Sequence, residues 1–269
     1  MATTMPRISP PLKWHGGKHH IAAKIIALMP PHTHYVEPYF GGGAVLLAKT
    51  PDGVSELVND RNGPLTAFWR VLKDERMFAK LQRRLEATPF SQTEWIESAE
   101  PCADPVESAA RFFSRCRQSL AGRMKDFAPS SRTRTRRGMN EQVSAWLNAI
   151  EGLPMVHSRL KLVRIENRDA LDVIRQQDGT GTLFYLDPPY MEKTRTAPDV
   201  YAFEMTDRDH ERLLEVALNC FGKVMLSGYR SPLYDSRLSE WNRHDFNVPN
   251  SAAGGDRKRR MIESLWCNF

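Results

Sequence analysis

The sequence predicts an α/β chain, and three stretches carry that prediction. Thr182-Leu183-Phe184-Tyr185-Leu186 is a short apolar run closed by Asp187-Pro188-Pro189-Tyr190, the pattern of a buried strand ending in a turn. Tyr35-Val36 leads through Glu37-Pro38-Tyr39-Phe40 into Gly41-Gly42-Gly43 and then Ala44-Val45-Leu46-Leu47, which reads as strand, glycine loop and helix. Leu57-Val58-Asn59 is a second short strand, and Asp60 follows it about twenty residues beyond the glycine loop, where an acid on the second strand of a Rossmann-like unit meets ribose hydroxyls. The glycines are consecutive and run straight into an apolar helix, so this is not the dinucleotide fingerprint and phosphate binding is not implied. A lone Asp after a short strand is more often a turn residue or helix cap; the glycine loop before it favours the ribose.

Taken in order, the elements begin with the loop Leu12-Lys13-Trp14-His15-Gly16-Gly17-Lys18, followed by Ile21, Ile25, Ile26 and Leu28 at helical spacing. After Asp60, Leu65 to Leu85 is a helical pattern with Phe68, Trp69, Leu72, Phe78 and Leu81. A second helical stretch starts near Pro105, with Ala109, Phe112 and Phe113 as candidate core, and Asn140 to Ile150 is a third, with Val143, Trp146, Leu147 and Ile150 on one face. The sheet resumes as Leu162-Val163-Arg164-Ile165-Glu166, then a helix to Gln176, then the strand that ends in Asp187. Lys193, Thr194, Arg195 and Pro198 follow in a flexible, charged stretch beside that motif. Thr206 or Asp207 caps a helix through Leu218, which makes His210 a first-turn residue with a packing role. Lys223 to Tyr229 is a further buried strand, and Asp245 to Val248 with Met261 to Phe269 forms a closing hairpin.

The chemistry concentrates at Asp187-Pro188-Pro189-Tyr190. Two prolines fix φ and remove two N–H donors, which leaves carbonyls in the turn free to accept. Asp187 adds a second acceptor and Tyr190 a stacking face. A planar exocyclic amine, with two N–H donors on a flat ring, matches this set. Trp14 and Lys18, flanking a glycine pair, bring a ring and a cation toward one ligand.

Lys-Trp-x-Gly-Gly-Lys, Glu-Pro-Tyr-Phe-Gly-Gly-Gly-Ala, Asn-Asp and Asp-Pro-Pro-Tyr, in this order, resemble the Dam-type DNA adenine methyltransferases, most of all the shorter forms of phages and mobile elements. The resemblance runs from about Pro10 to the C-terminus, strong at these motifs and weak between Leu65 and Val156. It implies a Rossmann-like class I S-adenosylmethionine-dependent methyltransferase sheet, formed by residues 1–64 and 157–269, with a mainly helical target-recognition insert over 65–156. It also implies S-adenosylmethionine as methyl donor, held by Trp14, Lys18, Asp60 and Asp187, with Glu37, Phe40 and Gly41 at its methionine end. The catalytic set is then Asp187, Pro188, Pro189 and Tyr190, with no metal, acting on an adenine flipped out of double-stranded DNA. Methylation of the 4-amino group of cytosine uses the same hydrogen-bond logic and stays open as an alternative, although there the motif more often begins with Ser. A related RNA guanine methyltransferase motif lacks the Trp14-to-Lys18 element, and a non-catalytic module on the same scaffold is the reading from another class.

Charge agrees with a polyanionic partner: the formal net charge is +6 over 269 residues. Arg111, Arg115, Arg117, Arg123, Lys125, Arg132, Arg134, Arg136 and Arg137 crowd one stretch in which Asp126 is the sole acid. That stretch reads as a mobile loop or solvated hairpin able to enter a groove, and Arg115, Arg123, Arg132, Arg134, Arg136, Arg137 and Arg195 are the expected DNA contacts. A solvated face is the competing reading of any charge run. Arg257-Lys258-Arg259-Arg260 is a smaller cluster of the same kind. Cys102, Cys116, Cys220 and Cys267 have no paired metal-ligand spacing and none stands in a Pro-Cys motif, which argues against structural zinc and against a carbon-5 cytosine enzyme. No run approaches the roughly twenty apolar residues of a membrane span and the start lacks a signal-peptide pattern, so a cytoplasmic location is expected. The motifs do not name the recognition sequence.

Overall fold

The computed structural model describes residues 8–51, 53–129, 133–195, 203–249 and 260–269. It contains a seven-stranded sheet built from β1 (His34–Glu37), β2 (Ser55–Asn59), β3 (Arg164–Glu166), β4 (Thr182–Leu186), β5 (Lys223–Gly228), β6 (Asn242–Pro249) and β7 (Arg260–Cys267). Their order across the sheet is β3-β2-β1-β4-β5-β7-β6. β2, β1, β4 and β5 are mutually parallel, with Val36 opposite both Leu57 and Phe184 and Phe184 opposite Val224, while β7 and β6 run antiparallel. The α/β class expected from the sequence is the class found.

The chain divides into two compact units. The sheet unit comprises Ala23–Phe40, Pro51–Asn62 and Glu166–Phe269. Its core joins Val36, Leu57, Phe184, Leu186, Val224 and Leu226 of the strands to Leu171, Ile174, Leu213, Leu214 and Ala217 of the helices Ala170–Gln177 and Asp207–Leu218. Every residue of β4 is buried, which is why its sequence is an unbroken apolar run and not an alternating one. Asp169 caps the first of these helices by accepting from the Leu171 N–H at 2.9 Å, and Thr206 opens the second in a capping box with Asp209. His210 is fully buried, with Nδ1 2.9 Å from the Tyr234 hydroxyl; burial pushes its pKa down to about 4, so it packs as a neutral ring.

The helical unit comprises the described residues up to Ala22, Gly41–Thr50 and Gly63–Ile165. The single helical pattern expected over Leu65 to Leu85 is two helices, Gly63–Lys73 and Glu75–Glu86, because Asp74 leaves helical geometry to cap the second by accepting from the Met77 N–H at 2.8 Å. Pro105–Arg117 begins where its proline predicts, capped by Asp104. Phe68, Phe113 and Trp146 stack through this unit at centroid distances of 5.9 and 5.3 Å. Gln92–Glu97 and Leu153–Leu160 are additional helices. The strand expected from Leu162 is confined to Arg164–Glu166, since Leu162 is exposed and the Val163 N–H closes a helical turn on Leu160. Within the basic stretch, Thr135–Arg136 pairs with Met139–Asn140 as a hairpin whose two turn residues, Arg137 and Gly138, both have positive φ, 57° and 74°. Of the two forms expected there, the hairpin is present over 135–140.

Candidate active site

In the sheet unit, the parallel strands bring their carboxyl ends to one edge, and strand order reverses between β1 and β4. In an open α/β sheet the strand ends beside such a reversal are the usual place for a ligand. Glu37 ends β1, Asn59 ends β2 with Asp60 next, Asp187 follows β4, and Tyr229 follows β5. The sequence-predicted acids Glu37, Asp60 and Asp187 therefore share an edge.

Glu37 is a buried carboxylate, 2% exposed, that accepts from the Tyr35 hydroxyl at 2.7 Å. Burial and then the Glu37 charge push the Tyr35 phenol far above its ordinary pKa, so it stays a donor. Asp60 is half-buried; one of its oxygens accepts from the Asn62 N–H at 2.9 Å, an Asx turn that fixes the side chain at the strand end.

Asn59 is the residue whose part the sequence reading missed. Fully buried, it donates to the Pro38 carbonyl at 3.0 Å and the Arg168 carbonyl at 3.1 Å, and accepts from the Arg168 N–H at 2.8 Å. Its own carbonyl accepts from the Phe40 N–H at 2.9 Å. One side chain thus ties the turn after β1, the end of β2 and the turn after β3. An Asn that closes an apolar strand is the signal that was available, since burying an amide requires partners for both its ends.

After β4, Asp187 is half-buried, Pro188 buried and Tyr190 6% exposed. The Tyr190 hydroxyl donates to Glu263, and its ring meets Tyr229 edge-on at 4.8 Å and 69°. Burial and then the charge of Asp187 raise the Tyr190 phenol well above its ordinary pKa.

Trp14, Lys18 and Gly41 lie in the helical unit. Gly41 and Gly43 have positive φ, 50° and 71°, and a Cβ on Gly41 would stand 2.8 Å from Trp14 Nε1, one on Gly42 2.6 Å from the Trp14 Cβ. The close backbone approach that glycines permit is used here by the Trp14 side chain, which joins two sequence motifs into one piece of structure. Trp69 Nε1 donates to the Gly41 carbonyl at 3.1 Å. Lys18 is buried and donates to the Gly16 carbonyl at 2.7 Å.

The basic residues divide sharply. Arg115 lies 3.6 Å over the Trp95 ring and donates to the Trp95 carbonyl at 3.0 Å. Arg117 donates to the Ala145 carbonyl at 2.6 Å and Arg111 to Glu107 at 3.0 Å. Arg137 forms a two-pronged pair with Glu151 at 3.0 and 3.1 Å, and Arg195 another with Glu204 at 3.0 and 2.7 Å, its side chain 6% exposed. Arg123 is half-buried, and Arg134 and Arg136 are exposed on the hairpin, Arg134 3.9 Å from Glu141. Arg132 and most of the cluster Arg257-Lys258-Arg259-Arg260 lie outside the described residues.

All four cysteines are free thiols, and burial pushes Cys116, Cys220 and Cys267 up to about 12, far from the thiolate a carbon-5 attack on cytosine needs. Among the described residues no cluster of His, Cys, Asp and Glu is arranged to hold a metal, and no helix is long and apolar enough to cross a membrane.

Comparison with known proteins gives the same direction. A family model described as D12 class N6 adenine-specific DNA methyltransferase matches residues 14–251. The chain is 25% identical over 283 residues to the type II methyltransferase M1.LlaDCHI of Lactococcus lactis subsp. cremoris, covering 96% of this chain and 94% of the relative. It is also 25% identical over 302 residues to the type II methyltransferase M.MjaIII of Methanocaldococcus jannaschii, covering 97% and 99%.

Proposed function

The chain belongs to the D12 class N6 adenine-specific DNA methyltransferase family, and from that premise we propose that Asp187, Pro188, Pro189 and Tyr190 methylate the 6-amino group of an adenine flipped out of double-stranded DNA. The mostly parallel seven-stranded sheet is consistent with a class I S-adenosylmethionine-dependent methyltransferase, and S-adenosylmethionine is the donor the family implies. The observation that carries the residue assignment is the place of Asp187, directly after a fully buried strand and beside the reversal of strand order.

The donor supplies a methyl on a positively charged sulfur. Its methionine end is assigned to Glu37, Phe40 and Gly41 and its ribose to Asp60, with Trp14, Lys18 and Asp187 completing the set. A carboxylate at the end of each of three strand regions suits a ligand bearing an ammonium and a ribose diol. The adenine amine is a poor nucleophile because its lone pair is delocalised into the ring. Asp187 and the Pro188 carbonyl each accept one N–H, which favours a pyramidal nitrogen and frees the lone pair for in-line displacement. Asp187 then takes or relays the released proton. Extracting the base from the stack costs a few kcal/mol, offset in part by stacking on Tyr190.

Residues 65–156 serve in this proposal as the target-recognition insert. Arg123, Arg132, Arg134 and Arg136 neutralise phosphates, Arg134 from a loose 3.9 Å approach to Glu141, while Arg115, Arg137 and Arg195 contribute less per side chain because each has a close protein partner to give up. The type II names of both relatives bring restriction-modification into the proposal as the setting, in the cytoplasm. The test is transfer of labelled methyl from S-adenosylmethionine to unmethylated genomic DNA, with nucleosides resolved by mass. Label is expected in 6-methyladenine; label in 4-methylcytosine, or none, would overturn the assignment.

A further inference from the structure

Glu263 sits where a strand sequence would ordinarily place an apolar residue. It is 7% exposed, in the middle of β7, opposite Phe246 of β6, and followed by the buried Ser264 and Leu265. Glu has low strand preference, and burying a carboxylate costs several kcal/mol unless partners compensate. A local rule broken in this way marks a position kept for something other than packing. One partner is the Tyr190 hydroxyl, 73 residues away in sequence. Ser264, the next residue, pairs with Gly228 at the end of β5, so β7 delivers the Glu263 carboxylate to the strand end that Tyr229 follows. Tyr229 in turn closes on the Tyr190 ring edge-on. The ring is therefore held at two points, by a hydrogen bond at its hydroxyl and by an aromatic edge.

We infer that Glu263 is a positioning residue for the methyl transfer, fixing the plane of Tyr190 through its hydroxyl so that the ring is set to receive the extruded base. The inference rests on the assignment of Tyr190 as the stacking face. It makes the antiparallel C-terminal hairpin part of the catalytic apparatus and not only the closure of the sheet. The raised pKa of Tyr190, from burial and then from Asp187, keeps its hydroxyl a donor over the working pH range. Glu263 contacts no substrate in this account; it acts on the transfer through the Tyr190 phenol.

The test is a double-mutant cycle on kcat with DNA and S-adenosylmethionine both saturating, using Glu263→Gln and Tyr190→Phe, which conserve shape, with donor Kd and thermal unfolding measured on each. Each single variant is expected to slow kcat about tenfold, the size of a lost hydrogen bond to a charged group, and the double variant no further than either one. Donor Kd should stay within about twofold of wild type, because Tyr190 serves the base and not the donor. Multiplicative losses in the double variant, or a wild-type kcat in Glu263→Gln, would overturn the inference. A general weakening of fold and donor binding that persists in the Tyr190→Phe background would do the same. Tyr190→Ala separates this failure from that of the underlying assignment: wild-type turnover in that variant removes the stacking role itself, and with it any need to position the ring.

Discussion

The carboxyl edge of the sheet and the basic stretch from Arg111 to Arg137 are the two parts of the chain most conspicuous in sequence, and they differ in how conspicuousness relates to structure. At the sheet edge, Glu37, Asp60 and Asp187 stand where the ends of their strands put them, and each strand end is set by the run of apolar residues before it. In the basic stretch, position says little about availability. Arg115 is spent on Trp95, Arg117 on Ala145 and Arg137 on Glu151, whereas Arg136 has its side chain in solvent on a hairpin. Backbone geometry places an acid at a strand end, but the freedom of a charge depends on partners that sequence distance hides. The two regions should therefore fail differently when damaged.

The largest effect is expected at Asp187. Asp187→Ala should lower kcat by about a thousandfold or more, on the scale of losing an electrostatic contact made in the transition state, with the unfolding temperature little changed. Turnover near wild type would remove Asp187 from the chemistry. Next is Asn59→Ala, which leaves the Arg168 N–H and two carbonyls without the amide that satisfied them. A loss of about 2–4 kcal/mol in denaturant unfolding is expected, together with weaker donor binding. A change below about 0.5 kcal/mol, the level of an ordinary surface substitution, would mean that the turns hold themselves.

His210 sharpens the comparison from the packing side. Its folded pKa of about 4 lies below the ordinary 6.5, so between those values the unfolded chain binds more protons than the folded one. Its contribution is present above pH 6.5 and is lost as pH falls from there through 4; burial is the main cause, opposed by the charges of Asp207 and Asp209 and reinforced by that of Arg195. Replacing it in His210→Gln should flatten this part of the stability profile, and an undiminished slope would place the titration elsewhere. The smallest effects separate two arginines. Arg136→Ala should reduce the slope of log K for DNA against log salt by about one and leave stability alone. Arg115→Ala should destabilise the helical unit by about 0.5–2 kcal/mol through its lost stacking on Trp95 and change the slope less. Equal slope changes would erase the distinction between free and spent charge.

Sequence alone carried much of the sheet unit. The strands at Tyr35, Leu57, Leu183 and Val224, the cap at Thr206 and the packing role of His210 were legible because apolar runs and capping residues act locally. The break at Asp74 was hidden because Leu65, Phe68, Trp69, Leu72, Leu81 and Leu85 are buried on both sides of it, and a capping carboxylate interrupts a helix without interrupting its apolar face. The short helix Gln92–Glu97 buries only Trp95 and leaves Ile96 exposed, too little for a periodic signal. The partners of Asn59 and Glu263 were out of reach for a different reason: they are fixed by the order of strands, which no single stretch of sequence contains. The three glycines were conspicuous, yet the contact of Gly41 and Gly42 with Trp14 is a fact of tertiary structure.

The most direct test of the central claim, that strand-end position supplies the chemistry and exposed charge only the binding, is a single-turnover methylation rate measured for Asp187→Ala and Arg136→Glu as DNA is raised to saturation at low salt. The account predicts that Arg136→Glu regains the wild-type rate once DNA saturates, while Asp187→Ala stays slow at every concentration. A rate for Arg136→Glu that remains low at saturation, or recovery by Asp187→Ala, would contradict it.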